Sequence, residues 1–341
     1  MPSPSKVCRF TLNDIMFRLP VLAGQPLGRT ILGPKQNILS ITRDDLATYI
    51  KTNYTADRMV LVGTGGVDHA ELVKQAEKHF STLPVSSNPI PLGRLAHPKT
   101  KFIGSEVRIR DDTMPTAHVA IAVEGVGWSS PDYYPMLVMQ SIMGNWDRSL
   151  GAASLMSSKL SHIVSSNNLA NSFMSFSTSY SDTGLWGIYL VTENLMNMDD
   201  LAHFTLREWT RMSVGPSEVE VERAKSQLKA SLLLSLDGST AIAEDIGRQL
   251  VTSGRRMTPQ QIEFAVDAVS PADIKRVAQK YLWDQDVSCE YHSAVQVTHS
   301  TLFRSPSPRS VRSTVFSTTI VFAPICPPCS TRIWFVRSQV V

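Results

Sequence analysis

Apolar and polar residues follow their clearest periodic pattern at residues 171–191. Aromatic residues alternate there with serine and threonine, and a polar Ser-Asp-Thr-Gly sequence follows at 181–184. The next run, at 185–191, is rich in aromatic and β-branched residues. Two such runs around a turn sequence predict an antiparallel pair of strands in the core of a sheet.

Helix signals are strong in the middle of the chain. Thr42 caps an amphipathic helix at 44–52, with Leu46, Tyr49 and Ile50 on one face. Further helix starts are predicted at Asp68, Pro131, Ser217, either Ser239 or Thr240, Thr258 and Ser270. Strands are predicted at 58–62, 106–110 and 118–124, besides the two runs above. Helices and strands that alternate without a strict βαβ repeat predict a layered α+β fold.

An internal repeat supports two related domains. Residues 42–62 can be laid on residues 270–290, so that the capped helix of the first copy matches that of the second. The paired positions are Thr42 with Ser270, Asp45 with Asp273, Leu46 with Ile274, Tyr49 with Val277, Ile50 with Ala278 and Tyr54 with Leu282. A strand is predicted after the first helix, but after the second only Val287 fits one. We therefore expect the repeat to fail at residue 288, which leaves a gap or an edge in the sheet.

Composition describes a globular protein and argues against several classes. The 341 residues suffice for two domains with separate cores, and the apolar and charged fractions are 43% and 18%. A net charge of +3 is too small to indicate nucleic acid binding. The sequence has no apolar run of about 18 residues, as a membrane span requires. Four cysteines in a chain of this size do not predict a disulfide framework.

Both ends of the chain differ from its middle. Residues 1–23 lack a clean helical or strand period. Residues 288–341 are dense in serine, threonine, proline and arginine, contain no lysine, and hold three of the four cysteines. We expect both to be atypical segments, and the second to be a disordered tail that is not original to the fold. The basic residues of 1–20 occur together with Asp14 and do not form a convincing transit peptide.

Several separate sequences between Gly24 and Val287 resemble the beta-subunit family of mitochondrial processing peptidases. They are GQPLGRTILGP at 24–34, the unit at 46–66, SYSDTGLWGIY at 179–189, AEDIGRQ at 243–249 and SPADIKRVAQKYLWDQD at 270–286. These subunits belong to the insulinase/pitrilysin-type zinc metallopeptidases. The resemblance therefore rests on several independent anchors across most of the chain.

The resemblance implies two related layered α+β domains of the insulinase/processing-peptidase type, with the first incomplete in a truncated chain. Residues 24–100 are then the second half of the N-terminal peptidase-like domain, and residues 101–287 are the C-terminal one. It also implies zinc-dependent cleavage of targeting presequences from imported precursors in the mitochondrial matrix. The implied partner is a processing peptidase alpha subunit, which forms a heterodimer with the beta subunit.

Two other hypotheses stay open. The sequence is also similar to non-catalytic core subunits of the respiratory cytochrome bc complex, which would make the chain a structural partner. A third hypothesis is a non-functional product, since half a domain exposes apolar core surface and aggregates.

The zinc motif of the family, His-x-x-Glu-His, does not occur in this sequence. A helical zinc site needs two histidines four residues apart and a carboxylate that acts as base. No two histidines have that spacing; they are His69, His79, His97, His118, His162, His203, His292 and His299. The first two flank a predicted helix with a charged, solvated face. The sequence thus predicts no catalytic and no metal-binding residue here, and a chain that is inactive alone.

Other motifs favour structural roles. The Gly-Thr-Gly-Gly sequence at 63–66 lacks the spacing of a phosphate loop and predicts a turn. The CxxC sequence at 326–329 stands alone and is a weak metal signal, even with His292 and His299. The carboxylates at 244–245 lie in the middle of a predicted helix. We expect them to face solvent or to pair with an arginine one turn later.

The resemblance also suggests where substrate would pass. In related peptidases the C-terminal domain closes the substrate chamber, and some members grip the substrate backbone with an Arg…Tyr pair. The corresponding segment here, residues 163–171, has neither residue at the expected places. Asn171, Phe176 and Tyr180 are the candidates for lining the chamber. Core packing is the other role open to the two aromatic residues.

Overall fold

The computed structural model describes residues 33–87, 89, 101–104, 106–110, 114–150 and 158–293, with short strands at 318–319, 332–334 and 337–338. The expectations for residues 1–23 and for the CxxC sequence at 326–329 lie outside the described residues. So does most of the segment after residue 293, for which disorder was expected.

The described part of the chain contains helices and strands in an irregular order. The helices are α1 (Lys35–Ser40), α2 (Arg43–Asn53), α3 (His69–Phe80), α4 (Tyr133–Met143), α5 (Lys159–Ser166), α6 (Met198–Val214), α7 (Glu218–Leu234), α8 (Ser239–Ser253), α9 (Pro259–Asp267) and α10 (Pro271–Tyr281). The strands are β1 (Glu106–Arg110), β2 (Ala117–Gly125), β3 (Asn145–Asp147), β4 (Ser172–Ser179), β5 (Gly184–Thr192), β6 (Ser288–Ser293), β7 (Thr318–Thr319), β8 (Arg332–Trp334) and β9 (Arg337–Ser338). Short 3₁₀ helices lie at Ala56–Arg58, Arg148–Leu150 and Leu195–Asn197.

Most helices begin within two residues of their predicted starts, because side chains satisfy the first free backbone N–H groups of several of them. Capping boxes are present at Thr42, Ser217, Thr258 and Ser270. After α8, Gly254 has a φ of 71°, in the left-handed region that favours glycine at a helix end.

Within the described residues, seven strands form one mixed sheet in the order β3-β4-β5-β2-β6-β1-β8, and β7 pairs with β9 separately. Within the larger sheet the pairings are antiparallel, except that β1 runs parallel to β6. The β4–β5 hairpin confirms the antiparallel pair predicted at 171–191. Helices and antiparallel strands in separate layers confirm the α+β class.

One face of the large sheet packs against helices. Successive strand residues point to opposite faces, and alternate residues of β2 and β5 are buried on this side. They are Val119, Ile121, Val123, Trp186, Ile188 and Leu190. Helices α4, α6 and α10 contribute the other side of the same core. In it, the ring centroids of Trp186 and Trp209 lie 5.2 Å apart.

Small residues occupy the middle of the opposite sheet face. Phe176 of β4 pairs in register with Gly187 of β5, which pairs in turn with Ala122 of β2. A methyl group added to Gly187 would lie 2.8 Å from the ring of Phe176 and 2.9 Å from the Cα of Ala122. The ring therefore lies over the glycine, which leaves no space for a side chain at this position.

The expectation that no strand follows Val287 is wrong. β6 lies between β2 and β1 inside the sheet, and Cys289 and Tyr291 are buried in the main core. This strand was not predicted from the sequence because the polar residues Ser288 and Glu290 alternate with the two core residues, so that the run as a whole is polar. A strand therefore follows the helix of the second copy, and the expected atypical tail loses its first 6 residues to the sheet.

The strand predicted at 58–62 is not formed. Ala56–Arg58 is a 3₁₀ helix, and residues 59–64 are assigned no strand. A strand is stable only when its backbone groups pair with a neighbouring strand. The sheet order places no strand beside this segment within the described residues.

Residues 33–87 differ from the rest of the described chain in burial. Within this range only Thr55 is buried, and the apolar side chains of α2 and α3 are exposed or half-buried. The buried core thus belongs to the later part of the chain. Among the described helices, none is both long enough and apolar enough to cross a membrane.

Candidate functional site

The hairpin between β4 and β5 ends in a tight turn against the end of β2. The backbone N–H of Tyr180 donates to the carbonyl of Thr183 at 2.8 Å, and that of Trp128 donates to the carbonyl of Tyr180 at 3.0 Å. A side chain at Gly184 would lie 2.6 Å from the carbonyl oxygen of Val126. Glycine at this position therefore allows the close approach of the turn to β2.

A cavity of about 620 Å³ lies beside this turn. Its charged and phenolic lining residues are Glu124, Asp182, Lys280, Tyr281, Asp284 and Asp286. Four carboxylates and one ammonium group favour a cationic ligand group over an anionic one.

A buried carboxylate fixes two residues of this cavity. Asp132, the N-cap residue of α4, accepts hydrogen bonds from Arg276 at 2.8 Å and from Lys280 and Tyr281 at 3.1 Å each. Burial opposes the ionisation of Asp132, but these three donors outweigh it and lower the pKa of its carboxyl group. The network therefore ties α10 to the start of α4.

Asp245 forms a second network on α8. It accepts hydrogen bonds from Arg248 at 2.7 Å, from Gln249 at 2.9 Å, and from Arg256. Arg248 also lies over the ring of Trp128, 4.9 Å from its centroid. Burial opposes the ionisation of Asp245, but its donors outweigh it and lower its pKa. The expected pairing with an arginine one turn later is confirmed, whereas Asp245 is buried and does not face solvent.

A third network connects α5, α6 and α7. The guanidinium of Arg211 donates to both carboxylate oxygens of Glu220, at 3.0 and 3.1 Å, and to Glu208 at 2.8 Å. Ser217 and Lys159 also donate to Glu220, at 2.9 and 3.2 Å. Burial opposes the ionisation of Glu220, but the bonds from Ser217 and the nearby cations lower its pKa from 4.5 to about 2.

Apart from the pairing of Asp245 with Arg248, little in the sequence indicated these networks. Asp132 and Arg276 are 144 residues apart, and no spacing rule connects residues at such separations. For Glu220 the available signal was its capping pattern with Ser217, which predicted a helix start without the arginine that also binds the glutamate.

The three chamber candidates do not form one cluster. Asn171 and Tyr180 flank opposite ends of β4, about 30 Å apart at the usual rise of a strand. The side-chain oxygen of Asn171 accepts a hydrogen bond from the N–H of Glu193 at 3.2 Å. Burial raises the pKa of Tyr180, and Phe176 is buried over Gly187. Their role in lining a chamber stays a prediction.

The described histidines do not fit a zinc site. His69 and His79 stand at the two ends of α3, about 15 Å apart at the rise of a helix. His118 has its Nδ1 2.5 Å from the hydroxyl of Tyr189 and its Nε2 3.0 Å from that of Thr116. Within the described residues, no group of three or more His, Cys, Asp or Glu side chains could hold a metal ion. No catalytic step through zinc can be derived from these residues.

The comparison with known families gives a match over the central part of the chain. A family model described as the peptidase M16 inactive domain matches residues 40–228. The chain belongs to the peptidase M16 family. This result confirms the resemblance to insulinase-type peptidases, and the matched model describes an inactive domain of that family.

Curated relatives and a solved structure agree with the M16 assignment. Mitochondrial-processing peptidase subunit beta of Lentinula edodes is 82% identical over 264 residues, which are 77% of this chain and 57% of the relative. The subunit of the same name from Saccharomyces cerevisiae is 53% identical over 267 residues, which are 77% of this chain and 58% of the relative. A chain of the structure titled "Complex III2 from Candida albicans, Inz-5 bound" has a TM-score of 0.75 and 31% identity, over 82% of this chain and 66% of that one.

This M16 chain spans just over half the length of the curated relatives that it matches, 57% for Lentinula edodes and 56% for Neurospora crassa.

Proposed function

We propose that the chain is the non-catalytic part of a mitochondrial processing peptidase beta subunit, which acts in presequence removal. The observation that carries the proposal is the 82% identity to the Lentinula edodes protein of that name. Beta subunits from Neurospora crassa and Saccharomyces cerevisiae, at 63% and 53% identity, support the same function.

In this proposal the chain's own buried and half-buried carboxylates hold its elements together and do not carry out acid–base chemistry. The pKa values of Asp132, Asp245 and Glu220 are all lowered by their hydrogen-bond donors. An efficient general acid or base needs a pKa near the working pH, which these groups do not have. The zinc ion of the family supplies hydrolytic chemistry when bound, and we assign its ligands to the part of the relatives that this chain does not match.

The compartment and partners follow from the same comparison. The names of the relatives support a mitochondrial location, and we place the chain in the matrix, together with a processing peptidase alpha subunit. Presequences are rich in arginine and poor in acidic residues. The carboxylate-rich lining of the cavity beside the β4–β5 turn is electrostatically compatible with such a peptide.

The alternative is a core subunit of the respiratory cytochrome bc complex. The observation in its favour is the structural match to a chain of a Complex III2 assembly. That chain is 31% identical to this one, whereas the beta subunit of Lentinula edodes is 82% identical. The processing peptidase is therefore the better supported of the two.

A chimera tests the proposal. The 264 residues of the Lentinula edodes beta subunit that match this chain are replaced by this chain's own residues. The purified chimera is mixed with the alpha subunit and a presequence peptide. We expect cleavage within about tenfold of the parent enzyme, and we expect a zinc chelator to abolish it. A chimera that folds and binds the alpha subunit but does not cleave contradicts the proposal.

The chain by itself provides the second arm of this experiment. With the alpha subunit and added zinc, but without the rest of the relative, it should show no cleavage. Chelator-sensitive turnover in this arm would show that the chain carries its own metal site, against the assignment of the ligands elsewhere.

A further inference from the structure

We draw no further inference here: the strongest candidate, the acid-lined cavity between the β4–β5 turn and the end of α10, belongs to the site already described, and among the described residues nothing besides its carboxylates indicates a second ligand.

Discussion

At the scale of single residues, buried and half-buried carboxylates connect elements that are far apart in the chain. Asp132 joins α4 to α10, and Glu220 joins α7 to α5 and α6. Each is surrounded by cationic donors, and its pKa is lowered. Removing one member of a buried ion pair destabilises the fold, because the remaining charge then lies in the protein without a partner.

Glu220 gives a pH-dependent prediction. Its pKa is about 2 in the folded chain against an ordinary value of 4.5. The stability that its ionisation contributes is therefore present above about pH 4.5 and is lost as the pH falls from there towards 2. Glu220→Gln should lower the free energy of unfolding by about 1–3 kcal/mol at pH 7. The difference from the natural chain should shrink as the pH falls through this window, as measured by urea unfolding at pH 7, 5, 4 and 3.

Glu218→Gln is the matched control for this series. Glu218 lies in the same first turn of α7 but is exposed. It should change stability by less than about 0.5 kcal/mol. An equal effect of both substitutions at pH 7, or a difference for Glu220→Gln that does not depend on pH, would count against the role given to the Arg211 pair.

At the scale of elements, local sequence predicted helices well and strands unevenly. Thr42, Ser217 and Ser270 cap their helices as predicted, because a cap depends on residues three positions apart. The strand predicted at 58–62 is not formed, and β6 was missed. A strand depends on its neighbours in the sheet, which can lie more than a hundred residues away in sequence.

The position of β6 makes a prediction about truncation. A chain that ends at Val287 lacks the strand between β2 and β1, and loses the buried side chains of Cys289 and Tyr291. We expect it to lose cooperative thermal unfolding, as followed by circular dichroism, because both neighbouring strands then have unpaired edges. A chain that ends at Ser293 should retain a cooperative transition. Equal transitions in the two chains would contradict the placement of β6.

At the scale of the whole molecule, the later part of the described chain is well packed, whereas few side chains are buried in its earlier part. Residues 114–150 and 158–293 contain nearly all of the core residues, whereas Thr55 is the sole buried residue described in 33–87. The helices of both parts are capped in the same way. The two parts therefore differ in burial because they differ in how many other elements pack against the apolar sides of their helices.

This contrast predicts a difference in local stability. In the chain by itself, amides of α2 should exchange through openings of lower free energy than amides of β2 and β5, because few apolar contacts are lost when α2 opens. Hydrogen exchange followed by mass spectrometry at several denaturant concentrations measures both regions at once. Equal protection of α2 and β5 would contradict the prediction.

Features that depend on near neighbours in the chain could be predicted from the sequence alone. These are the helix caps, the β4–β5 hairpin, the repeat between α2 and α10, the family, and the absence of the zinc motif from this sequence. The tertiary structure was needed to show which cations meet Asp132, that Arg256 also meets Asp245, and where β6 lies. It was also needed to show that the apolar side of α10 is covered while that of α2 is exposed. The physical reason is that burial and strand pairing depend on contacts between distant parts of the chain. Such contacts cannot be predicted from the spacing of residues along the chain.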